Sequence, residues 1–144
     1  MRHWGSFLPG NGVGGSGVHW NGQTYRFLPS DFVAKSHNAE RYGPLPEGMT
    51  VQDYGVTYEE LEPHFDYFEK ICGICGTAGN LRGDIREGGN PFEGPRSDDY
   101  PNPPMQMTFS QDRFEASARE LGLNPFPVPS ANMSRAYVNS LGLQ

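Results

Sequence analysis

Glycine and proline interrupt this chain so often that few stretches of it can form long helices or strands. The 144 residues include 19 glycines and 13 prolines. Glycine loses much conformational freedom on folding, and proline breaks helices and cannot donate to a sheet ladder. Charged residues make up only 19%, too few for disorder by self-repulsion, while aromatic residues reach 12%. We therefore expect an ordered, loop-rich chain of mixed α/β (α+β) class with about three helices and short strands.

The charge balance excludes one class of partner. The net charge is −6, whereas proteins that bind nucleic acid non-specifically present stripes of Lys and Arg to the phosphates. We therefore expect no nucleic-acid partner. The sequence also lacks the run of roughly 18 apolar residues that a transmembrane helix needs.

The pattern that predicts a helix most clearly begins at Thr57. Thr57 and Glu60 have the spacing of a capping box, and Gly73 is a natural residue to end a helix. The sequence therefore predicts a helix over 57–72, with Pro63 inside it. One apolar stripe along this helix is formed by Leu61, Phe65, Phe68 and Cys72.

Weaker patterns place the remaining elements. Ser30 reads as the N-cap of a helix that runs to about Arg41, and Ser110 as the N-cap of a helix over 110–121. Residues 23–28 alternate loosely and contain β-formers, so we expect a short strand there. Residues 76–108 read as an extended loop, and loops of this length are usually functional or lie over a larger partner surface.

Six glycines fall within the loop 10–22. Its first six residues spell G-x-G-x-x-G, but we predict no strand before this string, and the stretch that follows is too glycine-rich to open a helix. The loop instead presents exposed amides to a flat or anionic ligand. A flexible linker is the alternative, although Val13, Val18 and Trp20 are unusual in a linker.

The sequence of residues 12–22, Gly-Val-Gly-Gly-Ser-Gly-Val-His-Trp-Asn-Gly, resembles the flavin-contacting loop of the glucose–methanol–choline (GMC) oxidoreductases. It is most similar to the loop of their gluconate and sugar dehydrogenase flavoprotein subunits. The resemblance continues in order through stretches that cover nearly the whole chain, namely 28–32, 57–63, 79–83, 89–96 and 100–104. It implies that residues 1–144 are part of a GMC-type FAD-binding domain.

This resemblance implies a function and a set of cofactor contacts. FAD would accept hydride from a CH–OH group of an alcohol or sugar, in a dehydrogenase rather than an oxidase. Asn21 would lie near flavin N5, and His19 occupies a position that bonds covalently to the flavin in some relatives and not in others. The implied cofactor-binding residues are Gly12, Val13, Gly14, Gly15, Ser16, His19, Trp20, Asn21 and Gly22.

The resemblance also bears on partners and location. It implies an electron-transfer subunit and the rest of a parent polypeptide as partners. It points to a periplasmic or membrane-associated protein, with the cytoplasm left open. Two family features are missing from the sequence: the initial strand with its G-x-G-x-x-G, which binds the ADP half of FAD, and the catalytic histidine. We therefore expect an internal fragment that contains no catalytic residue and is inactive alone.

Two other functions remain as alternatives. Cys72 and Cys75 form a C-x-x-C, as in thiol–disulfide proteins, but a thioredoxin-like pair needs its first cysteine at a helix N-terminus. Cys72 lies at the predicted C-terminus, so we interpret both as buried structural cysteines. Pro101 and Pro104 match a ligand string for a proline-rich, non-catalytic binding module, although a plain extended loop explains them too. The histidines show no metal-ligand spacing, and we expect no metal.

Overall fold

The computed structural model describes residues 12–143, so the first two residues of the predicted loop 10–22 lie outside the described residues. The predicted loop-rich mixture of helices and short strands is confirmed. In chain order the described elements are a 3₁₀ turn (Gly15–His19), α1 (Pro29–Phe32), α2 (Ala34–Tyr42), α3 (Tyr58–Cys72), β1 (Asn80–Leu81), β2 (Asp84–Ile85) and α4 (Phe109–Glu120).

Helix α3 begins and ends at the residues that its sequence signals indicate. The Glu60 amide donates to Thr57 Oγ1 at 3.2 Å, and the Thr57 amide donates to Glu60 Oε2 at 2.8 Å. Gly73 follows the helix in the left-handed conformation, with φ 66° and ψ 36°. The predicted capping box and the predicted terminator are both confirmed, and the helix is continuous through Pro63.

The predicted N-cap at Ser30 is wrong. The cap is Leu28, whose amide donates to Asp31 Oδ2 at 2.7 Å, and Pro29 occupies the first helical position. Proline suits that position because its missing N–H would have no partner there. Val33, with φ −123° and ψ 40°, separates α1 from α2, so the single predicted helix is two short ones.

The predicted N-cap of the last helix is also wrong. Thr108 caps α4, because the side chain of Gln111 reaches back and accepts from the Thr108 amide at 2.8 Å. A cap at Ser110 would put Arg113 in the corresponding position, and an arginine has no acceptor to offer. Leu121 lies just beyond the helix, and Gly122 has φ 73°.

The strand predicted over 23–28 is wrong, since this segment forms only an isolated bridge between Gln23 and Ser130. The observed strands β1 and β2 instead form an antiparallel hairpin inside the predicted loop 76–108. Arg82 and Gly83 join them with φ of 56° and 94°. Positive φ at both positions matches the twist of a two-residue hairpin, and the rest of the segment is irregular.

A ladder of short bridges holds the centre of the chain. Cys75 exchanges two backbone hydrogen bonds with Ser130, at 2.8 and 2.9 Å. On its other side the Gly76 amide donates to the Asn102 carbonyl at 3.1 Å. The Thr24 amide donates to the Pro129 carbonyl at 3.0 Å and adds the segment 23–24 to the outer edge. Segments from four distant parts of the chain thus meet around the fully buried Cys75.

Two glycine backbones cross in direct contact beside this ladder. A Cβ atom built on Gly79 would lie 2.1 Å from the carbonyl oxygen of Asn90. One built on Gly89 would lie 2.3 Å from the nitrogen of Gly79. The obstructing atoms belong to the backbone and cannot rotate away as side chains do. Glycine is therefore required at both positions by close approach.

We expect Gly79→Ala to lower the free energy of unfolding by about 3 kcal/mol, because the added methyl group would force the two crossing segments apart. Gly55→Ala is the matched control, since a Cβ at Gly55 meets nothing within 4 Å. Urea titrations of both variants beside the parent chain, followed by circular dichroism, measure the difference. Equal midpoints for Gly79→Ala and Gly55→Ala would contradict the crossing.

Candidate functional site: an exposed glycine loop on a charged core

The glycine loop folds into a single 3₁₀ turn. The amide of Gly15 donates to the Gly12 carbonyl at 3.0 Å, and the amide of Gly17 donates to the Gly14 carbonyl at 3.2 Å. Gly14 and Gly15 have φ of 94° and 57°, which most other residues adopt only with strain. The expectation that no helix opens here holds for an α-helix but not for this 3₁₀ turn.

The turn lies open on the surface. The side chain of Val13 is fully exposed, and Val18 and Trp20 are mostly exposed. A Cβ atom built on Gly12 or Gly17 would meet no atom of the described chain within 4 Å. The loop therefore offers bare backbone and open space to a ligand from outside. Residues of this kind fit the close approach of a flat group such as a flavin ring.

The other end of the loop is fixed to the bridge ladder. Gly22 is buried with φ 87°, and its carbonyl accepts from the Ala131 amide at 2.7 Å. The side-chain amide of Asn132 donates to the Asn21 carbonyl at 2.9 Å. A Cβ atom on Gly22 would lie 2.7 Å from the Asn132 side-chain nitrogen. This end has a defined position, whereas residues 12–20 project from it.

The predicted cofactor contacts differ in what they can offer a ligand. The exposed His19 ends the 3₁₀ turn, and the exposed Trp20 and Asn21 lie between that turn and the buried Gly22. The indole N–H of Trp20 already donates to the Gln23 carbonyl at 3.1 Å, so the face of that ring is its free surface. The side chain of Asn21 makes no hydrogen bond within residues 12–143. These contacts stay a prediction.

An apolar groove of about 610 Å³ opens beside the loop, with Asn21 on its wall. Its other walls come from residues 105–107, from α4 and from residues 124–128, including Met105, Met107, Phe114, Phe126 and Pro127. Sequence reasoning missed this groove because its walls are far apart along the chain. The only local signals for its walls are the alternation of apolar and polar residues in Met105-Gln106-Met107 and the alternating prolines of Pro125-Phe126-Pro127.

A buried ion cluster fixes the segment that follows the loop. Arg26 Nε and Nη2 donate to the two carboxylate oxygens of Glu69 at 2.9 and 2.8 Å, and Arg96 Nη2 donates to the same carboxylate. The side chains are at most 4% exposed. Burial by itself would lower the pKa of Arg26, but its hydrogen bonds to Glu69 raise that pKa above its ordinary value. Arg26 is therefore charged at neutral pH.

This cluster corrects the predicted apolar stripe of α3. Phe68, a predicted member of the stripe, is 49% exposed, while the adjacent Glu69 is 3% exposed. The buried face of the helix is centred on Tyr58 and Glu69 instead. Sequence reasoning missed this because a glutamate on a helix normally lies in water. No local signal in the sequence marks its distant arginine partners.

Arg96 extends the cluster towards the crossing glycines. Its guanidinium lies 3.8 Å from the centre of the Tyr100 ring, and its Nη1 atom lies 3.8 Å from Glu93 Oε2. Glu93 Oε1 accepts from the Asn80 amide at 3.1 Å and also from the Gly79 amide. Burial raises the pKa of Glu93 above its ordinary value, although the charge of Arg96 opposes the shift.

The raised pKa of Glu93 gives a signed pH dependence. A carboxyl whose pKa is higher in the folded state contributes stability at low pH, and that contribution is lost as the pH rises through the folded-state pKa. We expect Glu93→Gln, which keeps the acceptor oxygen, to gain stability relative to the parent chain between about pH 4 and about pH 7. Urea titrations at both pH values test this. A difference that is constant or falls with pH would contradict the shift.

The structure also bears on the alternative sites. Cys75 is fully buried and its thiol donates to the Asn132 carbonyl at 3.2 Å, while Cys72 is half-buried; both thiols are free. The prediction of a buried cysteine is thus confirmed for Cys75 and wrong for Cys72. The proline-rich segment is held in the fold by Asn102, which is buried and donates to the Gly73 carbonyl at 2.7 Å.

Two further properties concern the described residues as a whole. They contain no group of three or more His, Cys, Asp or Glu side chains placed to hold a metal ion. Among the helices of residues 12–143, none combines the length and the apolar character needed to cross a membrane.

Comparison with known proteins relates the chain to dehydrogenases. No family model matches it. It is 43% identical over 148 residues to the gluconate 2-dehydrogenase flavoprotein of Pantoea cypripedii, a match that covers 99% of this chain and 24% of the relative. It is 34% identical over 128 residues to the fructose dehydrogenase large subunit of Gluconobacter japonicus, covering 88% of this chain and 20% of the relative.

A more distant relative is named for a different substrate. This is the 2-methyl-1,2-propanediol dehydrogenase of Mycolicibacterium austroafricanum, 29% identical over 126 residues, with 87% of this chain and 19% of the relative covered. The chain thus spans about a fifth to a quarter of the length of the relatives it matches. The predicted similarity to sugar dehydrogenase flavoproteins is confirmed at this level.

Proposed function

We propose that this chain is the flavin-contacting segment of a GMC-type oxidoreductase that oxidises a CH–OH group of an alcohol or sugar. The observation that carries the proposal is the open glycine turn with one buried, anchored end. It occurs in a chain that is 43% identical over nearly its whole length to a flavoprotein. FAD, when bound, supplies the hydride acceptor of such a reaction.

The residues of the loop bind and orient the cofactor in this proposal. Gly12, Gly14 and Gly15 let the backbone approach the flavin closely, since no side chain intervenes. Asn21 offers an amide that can donate or accept a hydrogen bond near flavin N5. The backbone carbonyl of Asn21 accepts a hydrogen bond from Asn132, which fixes the backbone from which the Asn21 side chain projects.

His19 and Trp20 complete the proposed cofactor contacts. His19 ends the 3₁₀ turn and is exposed, so its ring is free to contact the flavin. Whether His19 also bonds covalently to the flavin is decided by acid precipitation, which leaves a non-covalent flavin in the supernatant. Trp20 offers the face of its ring, which suits stacking against an aromatic group.

The wider reaction involves groups beyond these loop residues. We propose a dehydrogenase rather than an oxidase, because the relatives with the highest identities among those described carry dehydrogenase names. One relative is called a flavoprotein and another a large subunit, which supports an electron-transfer subunit as a partner. We assign no catalytic residue here.

The proposal is tested with a hybrid flavoprotein, in which this chain replaces the matching span of the Pantoea cypripedii relative. We expect Gly12→Val in the hybrid to abolish flavin loading, because its side chain would occupy space where the described chain has no atoms within 4 Å. Gly55→Val is the matched control, since Gly55 has equally open surroundings. Absorbance near about 450 nm in proteins purified in parallel measures the flavin.

The control separates a lost contact from a damaged fold. Neither Gly12 nor Gly55 has a positive φ, so valine strains neither backbone by that route. Full flavin content in Gly12→Val would remove the loop from the cofactor site. Loss of flavin in both variants would show that the measurement reports folding instead of contact.

A further inference from the structure

The described surface holds far more apolar side chains than a soluble domain of this size needs. Among residues 12–143, twenty-five large apolar side chains are exposed, while only seven apolar residues are buried. Exposed apolar residues are ordinary when scattered, but contiguous patches mark interaction surfaces. A place where these exposed side chains lie together is therefore a candidate interaction surface.

They gather on α4 and beside it. Ala118 is the only residue of this helix that is buried. Phe114, in the middle of the helix, and Leu121, just beyond its end, are 71% and 78% exposed. A twelve-residue helix gains most of its stability by packing an apolar face, but the described chain buries only Ala118 on this face and leaves Phe114 and Leu121 uncovered. We call Phe114, Leu121, Leu123 and the groove wall of Met105 and Met107 the α4 face.

The α4 face continues into a groove with a fixed shape. The side-chain amide of Asn124 donates to the Gly89 carbonyl at 3.1 Å and ties one wall to the crossing glycines. Tyr25 meets Phe126 edge to face, with ring centroids 6.5 Å apart, and closes the other side. Because these walls are held by the fold, the groove is ready to receive a side chain from a partner.

The charges around this surface favour a protein partner over a membrane. Helix α4 carries two arginines: Arg119 is paired with Glu115 at 2.7 Å, and the guanidinium of Arg113 lies over the Phe109 ring, 5.3 Å from its centre. The helix also carries three carboxylates, and the chain as a whole has a net charge of −6. An interfacial helix that binds anionic lipid instead has an excess of Lys and Arg on its polar face.

We infer that the α4 face is the docking surface for the remaining polypeptide of a flavoprotein. This inference rests on the proposed function. Its support is the length of the relatives, since the matched span covers only 24% and 20% of the two with the highest identities described above. An apolar segment of that larger polypeptide covers α4 and fills the groove, and so brings the rest of the enzyme beside Asn21 and the glycine loop.

Co-expression tests this surface directly. The tagged 144-residue chain is produced together with the Pantoea cypripedii flavoprotein from which the matching span has been deleted. We expect the chain to capture this named partner. We expect the double variant Phe114→Asp, Leu121→Asp to reduce capture at least about tenfold. Phe92→Asp, Leu141→Asp is the matched control, because both of its residues are exposed and neither lines the groove.

A second variant separates lost docking from lost folding. Phe114→Met, Leu121→Met keeps the face apolar, so we expect it to retain capture. Equal capture by all variants, or capture by none, would overturn the inference. Self-association of the chain that the aspartate variant alone abolishes, without capture of the deleted flavoprotein, would assign the face to a second copy and overturn it as well.

The flavin content of the captured complex reports separately on the proposed function. A complex without flavin would keep the docking surface and contradict the flavin assignment. Flavin on the chain without capture would keep the flavin assignment and contradict the docking surface.

Discussion

The carboxylate of Glu69, shared by Arg26 and Arg96, is the interaction on which this structure depends. Three segments that are distant in sequence converge on it, and all three side chains are buried. Charges removed from water must be paired, since a buried ion that loses its partner costs about 3–5 kcal/mol. Glu69 therefore joins the segments of Arg26 and Arg96 to α3, and its loss would leave two buried guanidinium groups without this carboxylate.

This cluster explains how a chain with so little apolar core presents a defined loop. Arg26 lies four residues beyond Gly22, and the bridge ladder fixes the residues between them. The 3₁₀ turn then projects from a firm base into open space. Its bare backbone is free for a ligand because its position is set by residues that the ligand does not need. The small core also explains the exposed α4 face, because the described chain buries only Ala118 of that helix.

The sequence predicts the local features and misses the distant ones. Thr57, Glu60 and Gly73 define α3 correctly because a cap depends only on residues within one or two turns. The caps at Ser30 and Ser110 are wrong because a neighbouring residue offered a better partner, as Gln111 does for Thr108. The glycine loop is readable because its residues are contiguous.

The remaining features depend on contacts between separated segments. The pairing of Cys75 with Ser130 and of Glu69 with its two arginines joins positions 27 to 55 residues apart. A single sequence shows a glutamate on a helix, and physical chemistry then places it in water. Only the fold reveals that the guanidinium groups of Arg26 and Arg96 lie against the Glu69 carboxylate. The groove beside Asn21 escapes prediction for the same reason.

Amide hydrogen exchange in Glu69→Gln tests the central role of this carboxylate most directly. The account predicts that the amides of Thr24 and Arg96, which donate to the carbonyls of Pro129 and Asn80, lose protection together, by at least about a hundredfold. Glu59→Gln, on the exposed side of the first turn of α3, should leave both amides unchanged. Retained protection of either amide in Glu69→Gln would contradict the account, because the two segments would then be held by something other than the shared carboxylate.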